Sequence, residues 1–128
     1  MIKYICLAEF EKDFKALQKR YRTLTEDFET FKKFTIETFY EMNVPSTAFL
    51  PIEGFCGKNY TANKVRKFAC RSLPGRGNQS GIRIIFVWQK ETRTITFVEI
   101  YFKGDKSESD RKRLKTFIDS LEKEEKEK

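Results

Sequence analysis

Histidine is absent from all 128 residues. That absence excludes a Ser-His-Asp or Cys-His relay, an imidazole acid–base pair and the usual imidazole metal sites. Any catalysis has to use Lys, Arg, Glu, Asp or Tyr. Cysteine is scarce: Cys6, Cys56 and Cys70 are odd in number, with no close pair. Neither a disulfide framework nor a zinc site fits that spacing. All three are read as reduced thiols filling small buried positions. No apolar run approaches the ~20 residues of a spanning helix, so no membrane-spanning segment is expected. The start, "MIKYICLAEF", is too short and too soon acidic for a secretory signal, and the expected location is the cytoplasm. Gly75 and Gly77 precede a strand pattern rather than a helix, so they are not a phosphate loop. No cofactor and no metal are expected.

Phenylalanine and positive charge are plentiful. Thirteen Phe residues imply a core built on large rings, or a surface that needs covering. Lys and Arg outnumber Asp and Glu by 26 to 19, leaving a net charge of +7. That sign favours an anionic partner: nucleic acid, an acidic protein or an anionic membrane. A solvated surface rich in lysine gives the same balance. The length suits one domain, residues 1–128, with a real core. "EKEEKEK", residues 122–128, reads as a frayed charged tail.

"IKYICLA" is a candidate first strand. Phe10, Phe14, Leu17 and Tyr21 then recur at helical spacing, ending in the basic patch Lys19, Arg20 and Arg22. A second helix starts at Thr23 and Glu26, which have capping-box spacing, or at Thr25. Phe28, Phe31, Thr35, Phe39 and Met42 form its stripe, widened by Phe34, Ile36 and Tyr40. Few residues separate the two helices, which predicts an antiparallel helical hairpin. Residues 43–62 carry Pro45, Pro51, Gly54 and Gly57 and read as a long irregular connection that packs down through Phe49, Leu50, Ile52 and Phe55. "NKVRKFACRSL" reads as a basic strand, "PGRGNQSG" as a turn, and residues 81–103 as a hairpin. Ser107 is a candidate N-cap for a last helix with Leu114, Phe117, Ile118 and Leu121 as its stripe. The fold class is α+β: an antiparallel sheet, the N-terminal hairpin packed on one face, and a C-terminal helix.

The hairpin "GIRIIFVWQKETRTITFVEIYFK" places Arg83 and Lys103 on strands that otherwise look like core. Strand neighbours alternate faces. An odd number of loop residues collects Ile82, Ile84, Phe86, Val98, Ile100 and Phe102 on one face. The other face then holds Arg83, Glu99, Tyr101 and Lys103. An even loop mixes cations into both faces. The odd loop is expected, because unpaired charge is costly to bury. The quartet suits an ion-pair cluster on a solvated face as well as a site.

Several stretches together resemble the RelE/ParE superfamily, the toxin half of toxin–antitoxin pairs. They are "FEKDFKALQKRYRTLTEDFETF", "NKVRKFACRSLPGRGNQSGIRIIFVW" with its Lys-x-Arg pair and Gly-x-Arg strand start, and "ITFVEIYFKGDK" with its Tyr-x-Lys ending. The resemblance runs from about residue 8 to residue 120. It implies a RelE-like fold with a concave basic surface. It also implies metal-independent cleavage of messenger RNA at the ribosome, in which the 2′-hydroxyl attacks the adjacent phosphorus. On the same basis Arg83 would stabilise the phosphate, and Lys103 would stabilise it or protonate the leaving oxygen. Lys64 and Arg66 match the basic pair and complete the catalytic set, or contact the RNA backbone without chemistry, with Lys67 and Arg71 as alternates if the register slides. Lys67, Arg71, Arg76 and Tyr101 would contact RNA. Glu99 as a general base is the remaining role. Implied partners are an antitoxin protein, messenger RNA and the ribosome, not a membrane, and a homodimer is compatible with the apolar helical surface. ParE-like relatives share the fold but inhibit gyrase without catalysis, so that alternative stands beside an inactive relative that only binds RNA or antitoxin. The glycine-rich turn is longer than in compact RelE members, and the last helix holds no tyrosine.

Overall fold

Ile82, Ile84 and Phe86 alternate with Ile85 and Val87 along one strand, and the protein buries both sides of it. In the computed structural model, which describes residues 1–127, five strands form one sheet in the order β1-β5-β4-β3-β2. The strands are β1 Lys3–Cys6, β2 Phe49–Cys56, β3 Tyr60–Val65, β4 Ile82–Gln89 and β5 Thr94–Phe102. The helices are α1 Ala8–Arg20, α2 Leu24–Phe31, α3 Glu37–Met42 and α4 Arg111–Glu127, with a π-helical turn, Lys32–Ile36, between α2 and α3. The class is mixed α+β.

The sheet is not wholly antiparallel. β2 to β5 pair antiparallel, while β1 lies parallel to β5. Nor are the helices confined to one face. α1 and α2 cover one side with Phe10, Leu17, Leu24, Phe28 and Phe31 against Ile82, Ile84, Phe86 and Phe97. α4 covers the other, with Leu114, Ile118 and Leu121 against Ile85, Val87 and Val98. That second apolar strip has to be buried too, which is why α4 crosses to it.

The expected odd hairpin loop is overturned in an instructive way. Gln89 pairs with Thr94, so the loop is Lys90 to Arg93, an even number. Farther out, Ile85 pairs with Glu99 whereas Phe86 pairs with Phe97. Val98 is therefore the extra residue of a β-bulge. The bulge restores, in the distal half, the same-parity register that an odd loop would have given. Ile82 and Ile84 consequently share a face with Ile100, and Arg83 lies beside Tyr101. Val98 itself moves to the α4 face, not the face expected of it.

Residues 43–62 are less irregular than expected, since they contain β2 and the start of β3. The burial of β2 does not alternate, its register slips between Pro51 and Cys56, and Gly54 has φ 87°. The basic strand is correspondingly shorter: β3 ends at Val65, and "RKFACRSL" leaves the sheet. The last helix starts at Arg111, beyond Ser107; the Asp110 carboxylate accepts the Arg113 N–H at 3.1 Å and caps it. α4 continues through most of the expected frayed tail to Glu127, and Lys128 lies outside the described residues. Cys70 is buried and Cys6 half-buried, but Cys56 is exposed, contrary to expectation; all three are free thiols.

A buried carboxylate ties the loop after β3 to α2. Asp27, only 6% exposed, accepts the Thr23 hydroxyl at 2.7 Å, the Arg71 backbone N–H at 3.0 Å and the Arg71 Nε at 2.8 Å. Burial pushes this carboxyl up, but the hydrogen bonds from Thr23 and Arg71 outweigh it and hold the group below the usual range. A depressed carboxylate adds stability above its unfolded pKa and loses it as pH falls through the folded value. Asp27→Ala is expected to cost about 2 kcal/mol at neutral pH, read as a lower urea midpoint. The gap from the unaltered protein should narrow below pH ~4.

Candidate functional site

Three strand ends and one loop meet at the edge of the sheet beyond the cover of α4. β3 delivers Lys64, which pairs with Ile85, and the chain then turns away. The N–H groups of Arg66 and Lys67 both donate to the Ala48 carbonyl, at 2.8 and 3.1 Å, and fix the turn. β4 delivers Arg83 beside Tyr101. Lys103 follows β5, its N–H donating to the Gly81 carbonyl at 2.8 Å. Gly81 has φ 90°, and a β-carbon there would meet the Phe102 ring at 3.0 Å. Glycine thus lets the loop carrying Arg76 close against β5.

The result is a cleft of about 970 Å³ lined by Arg66, Lys67, Arg76, Arg83 and Lys103 over Phe102. It is continuous with a hollow of about 410 Å³ that shares Arg66, Arg83 and Lys103 and adds Lys64. Among the described residues, none of Lys64, Arg66, Lys67, Arg76, Arg83 and Lys103 forms an ion pair. The polar contacts made by three of them leave their charge uncancelled. Arg83 Nη1 donates to the Arg66 carbonyl at 2.9 Å, Lys67 Nζ to Thr47 Oγ1 at 3.0 Å, and Arg76 Nη1 to the Ser80 carbonyl at 3.3 Å. Lys64 records the crowding. Burial, followed by the charges of Arg83 and Arg66, holds its ammonium below the ordinary lysine range, with Glu108 opposing.

Two neighbouring carboxylates, Glu99 and Asp105, are engaged elsewhere, whereas Glu108 acts on Lys64 without pairing with it. Glu99 shares the cationic face but is 1% exposed. It accepts the Asp110 N–H at 2.8 Å and pairs with Lys106. These contacts pin the start of α4. Glu99 neutralises neither Arg83 nor Lys103. Asp105 pairs with Arg20.

Two predicted RNA contacts fall outside the cleft. Arg71 bonds Asp27 at 2.8 Å and Glu26 at 2.5 Å. Tyr101 is 4% exposed, and its hydroxyl has no hydrogen-bond partner. Burial pushes that hydroxyl up, Glu99 adding to the effect and Arg83 opposing it. Its ring packs and offers no face to a base. Sequence reasoning missed the opposite wall: Thr47 lies just before β2, and Leu50, expected to pack down, is exposed on β2, whose broken periodicity concealed the strand. Among the described residues, no group of three or more His, Cys, Asp or Glu is placed to hold a metal ion. Among them, too, no helix is long and apolar enough to cross a membrane.

No family model matches the chain, and no curated protein matches it significantly. Among solved structures, the chain is similar to the one described as "Crystal structure of archaeal RelE-RelB complex from Pyrococcus horikoshii OT3". The TM-score is 0.48 and the identity 12%, over 80% of this chain and 96% of that one.

Proposed function

We propose that the cleft grips single-stranded RNA by successive phosphates and cleaves it, and that the chain is the toxin half of a toxin–antitoxin pair acting on messenger RNA at the ribosome. The observation that carries this is the convergence of Lys64, Arg66, Lys67, Arg76, Arg83 and Lys103 on one trench, none of them held in an ion pair among the described residues. A row of uncancelled cations is what a sugar-phosphate chain requires.

The reaction is a transesterification. The 2′-oxygen bonds to the adjacent phosphorus, and the bond from phosphorus to the next 5′-oxygen breaks. The products are a 2′,3′-cyclic phosphate and a 5′-hydroxyl. The proton lost by the 2′-hydroxyl goes to a base, and the departing 5′-oxygen gains one. Lys64, whose neutral amine is favoured by burial and then by Arg83 and Arg66, is the base. Arg83 presents the remaining N–H groups of its fork to the non-bridging oxygens. Lys103, an ammonium across the cleft, protonates the leaving oxygen, while Arg66, Lys67 and Arg76 hold flanking phosphates. A partner antitoxin would shield the same cations with Asp or Glu.

Inducing the protein in cells and mapping transcript ends tests the reading. New 5′-hydroxyl ends within coding regions, absent for Arg83→Ala, are expected. Growth arrest with intact transcripts contradicts it; arrest with broken DNA assigns the chain to the gyrase-inhibitor class instead.

A further inference from the structure

We infer that a second groove, beside the basic cleft, takes the base of a neighbouring nucleotide, so that the RNA path extends past the cations onto α2. This rests on the RNA reading of the cleft. The groove, about 680 Å³, runs between α2 and the loop after β3. Its size lies within the ordinary range of small-ligand pockets, about 300–1,000 Å³. Thr47 and Lys67 line both the groove and the cleft. The bond between Lys67 Nζ and Thr47 Oγ1 marks the boundary.

The groove differs from the cleft in charge. Its guanidinium, Arg71, is already paired with Glu26 and Asp27, which leaves little attraction for another phosphate. An uncharged, flat, hydrogen-bonding group fits better. Thr30, Thr35 and Asn78 supply polar atoms for such a group. Phe34 supplies the flat surface: it lines the groove and is 64% exposed.

The local fold explains that exposure. The π-helical turn Lys32–Ile36 inserts a residue into the helical stripe. Ile36, 0% exposed, takes the core position after Phe31, and Phe34 is left facing out. The Thr38 hydroxyl donates to the Phe34 carbonyl at 2.9 Å and holds the backbone there. The Lys33 ammonium lies over the ring, 5.4 Å from its centroid, so a base stacking there takes the face that Lys33 leaves open or displaces the ammonium. A ring beside cations, next to a phosphate trench, is how proteins hold single strands without reading their sequence.

The test is fluorescence anisotropy with 2′-O-methyl oligonucleotides of three to nine nucleotides, a modification that removes the nucleophile and so prevents cleavage. Phe34→Ala should weaken binding of the longest oligonucleotide roughly tenfold. Phe34→Tyr should bind like the unaltered protein. The dependence on salt should not change, because the ring touches no phosphate. A nonamer lacking its bases should bind both proteins alike. Equal affinity of Phe34→Ala and the unaltered protein for the intact nonamer overturns this inference and leaves the cleft reading standing. A loss accompanied by a shallower salt slope also overturns it. No binding of any oligonucleotide by the unaltered protein overturns both.

Discussion

Arg83→Ala should lower the rate of RNA cleavage by about 10²–10³-fold, the usual effect of losing one group aimed at a developing oxyanion. The reason is position. β4 holds Arg83 next to Tyr101, in the one span of the hairpin where the bulge sets the register. Its Nη1 is anchored on the Arg66 carbonyl, so the fork is oriented before substrate arrives. Arg83→Lys keeps the charge but not the planar fork, and should recover only part of the rate. Neither change should move the melting temperature by more than a few degrees, since Ile82 and Ile84 still fill the core. The check is single-turnover cleavage alongside thermal unfolding. Loss of activity tracking loss of fold would remove Arg83 from the chemistry.

Lys64→Met should cost about 10²–10⁴-fold, the range for removing a general base, and the pH dependence identifies the role. An amine acting as base must be neutral, so the ascending limb of kcat/KM against pH should follow the loss of the Lys64 proton. Because burial, Arg83 and Arg66 hold it low, the inflection should lie below the ordinary lysine pKa of about 10.4. Two further variants fix the sign. Glu108 opposes the shift, so Glu108→Gln should move the inflection to lower pH. Arg66→Ala removes a repelling charge and should move it to higher pH. An inflection indifferent to both changes would mean that another group titrates.

The sheet was legible where physical constraints are local. Alternation in "IRIIFVW" and "TITFVEIYF" located β4 and β5, and the cost of burying charge put Arg83 and Lys103 on a common side. That outcome was reached by a different route, because parity is set by the loop and the bulge at Val98 together. A bulge adds a residue without any residue type that announces it. β2 was hidden for the same reason: its burial has no period of two, and Pro51 and Gly54 read as breakers. The exposed ring of Phe34 depends on a π-helical turn that looks, in sequence, like ordinary helix. Arg71 shows a further limit. It is one more cation in a basic run until α2 brings Asp27 against it, and that contact spans 44 positions. Pairings of that kind are tertiary, and they decide which cations remain free.

The most direct measurement of the central claim is the affinity of a 2′-O-methyl hexanucleotide as a function of salt. If uncancelled cations grip phosphates, log K falls linearly with log salt, with a slope of about −0.7 for each phosphate held. Alanine at Arg66, Lys67 or Arg76 should each flatten that line by about 0.7. Affinity that ignores salt, or an oligonucleotide that fails to bind even in dilute buffer, contradicts the assignment of the cleft.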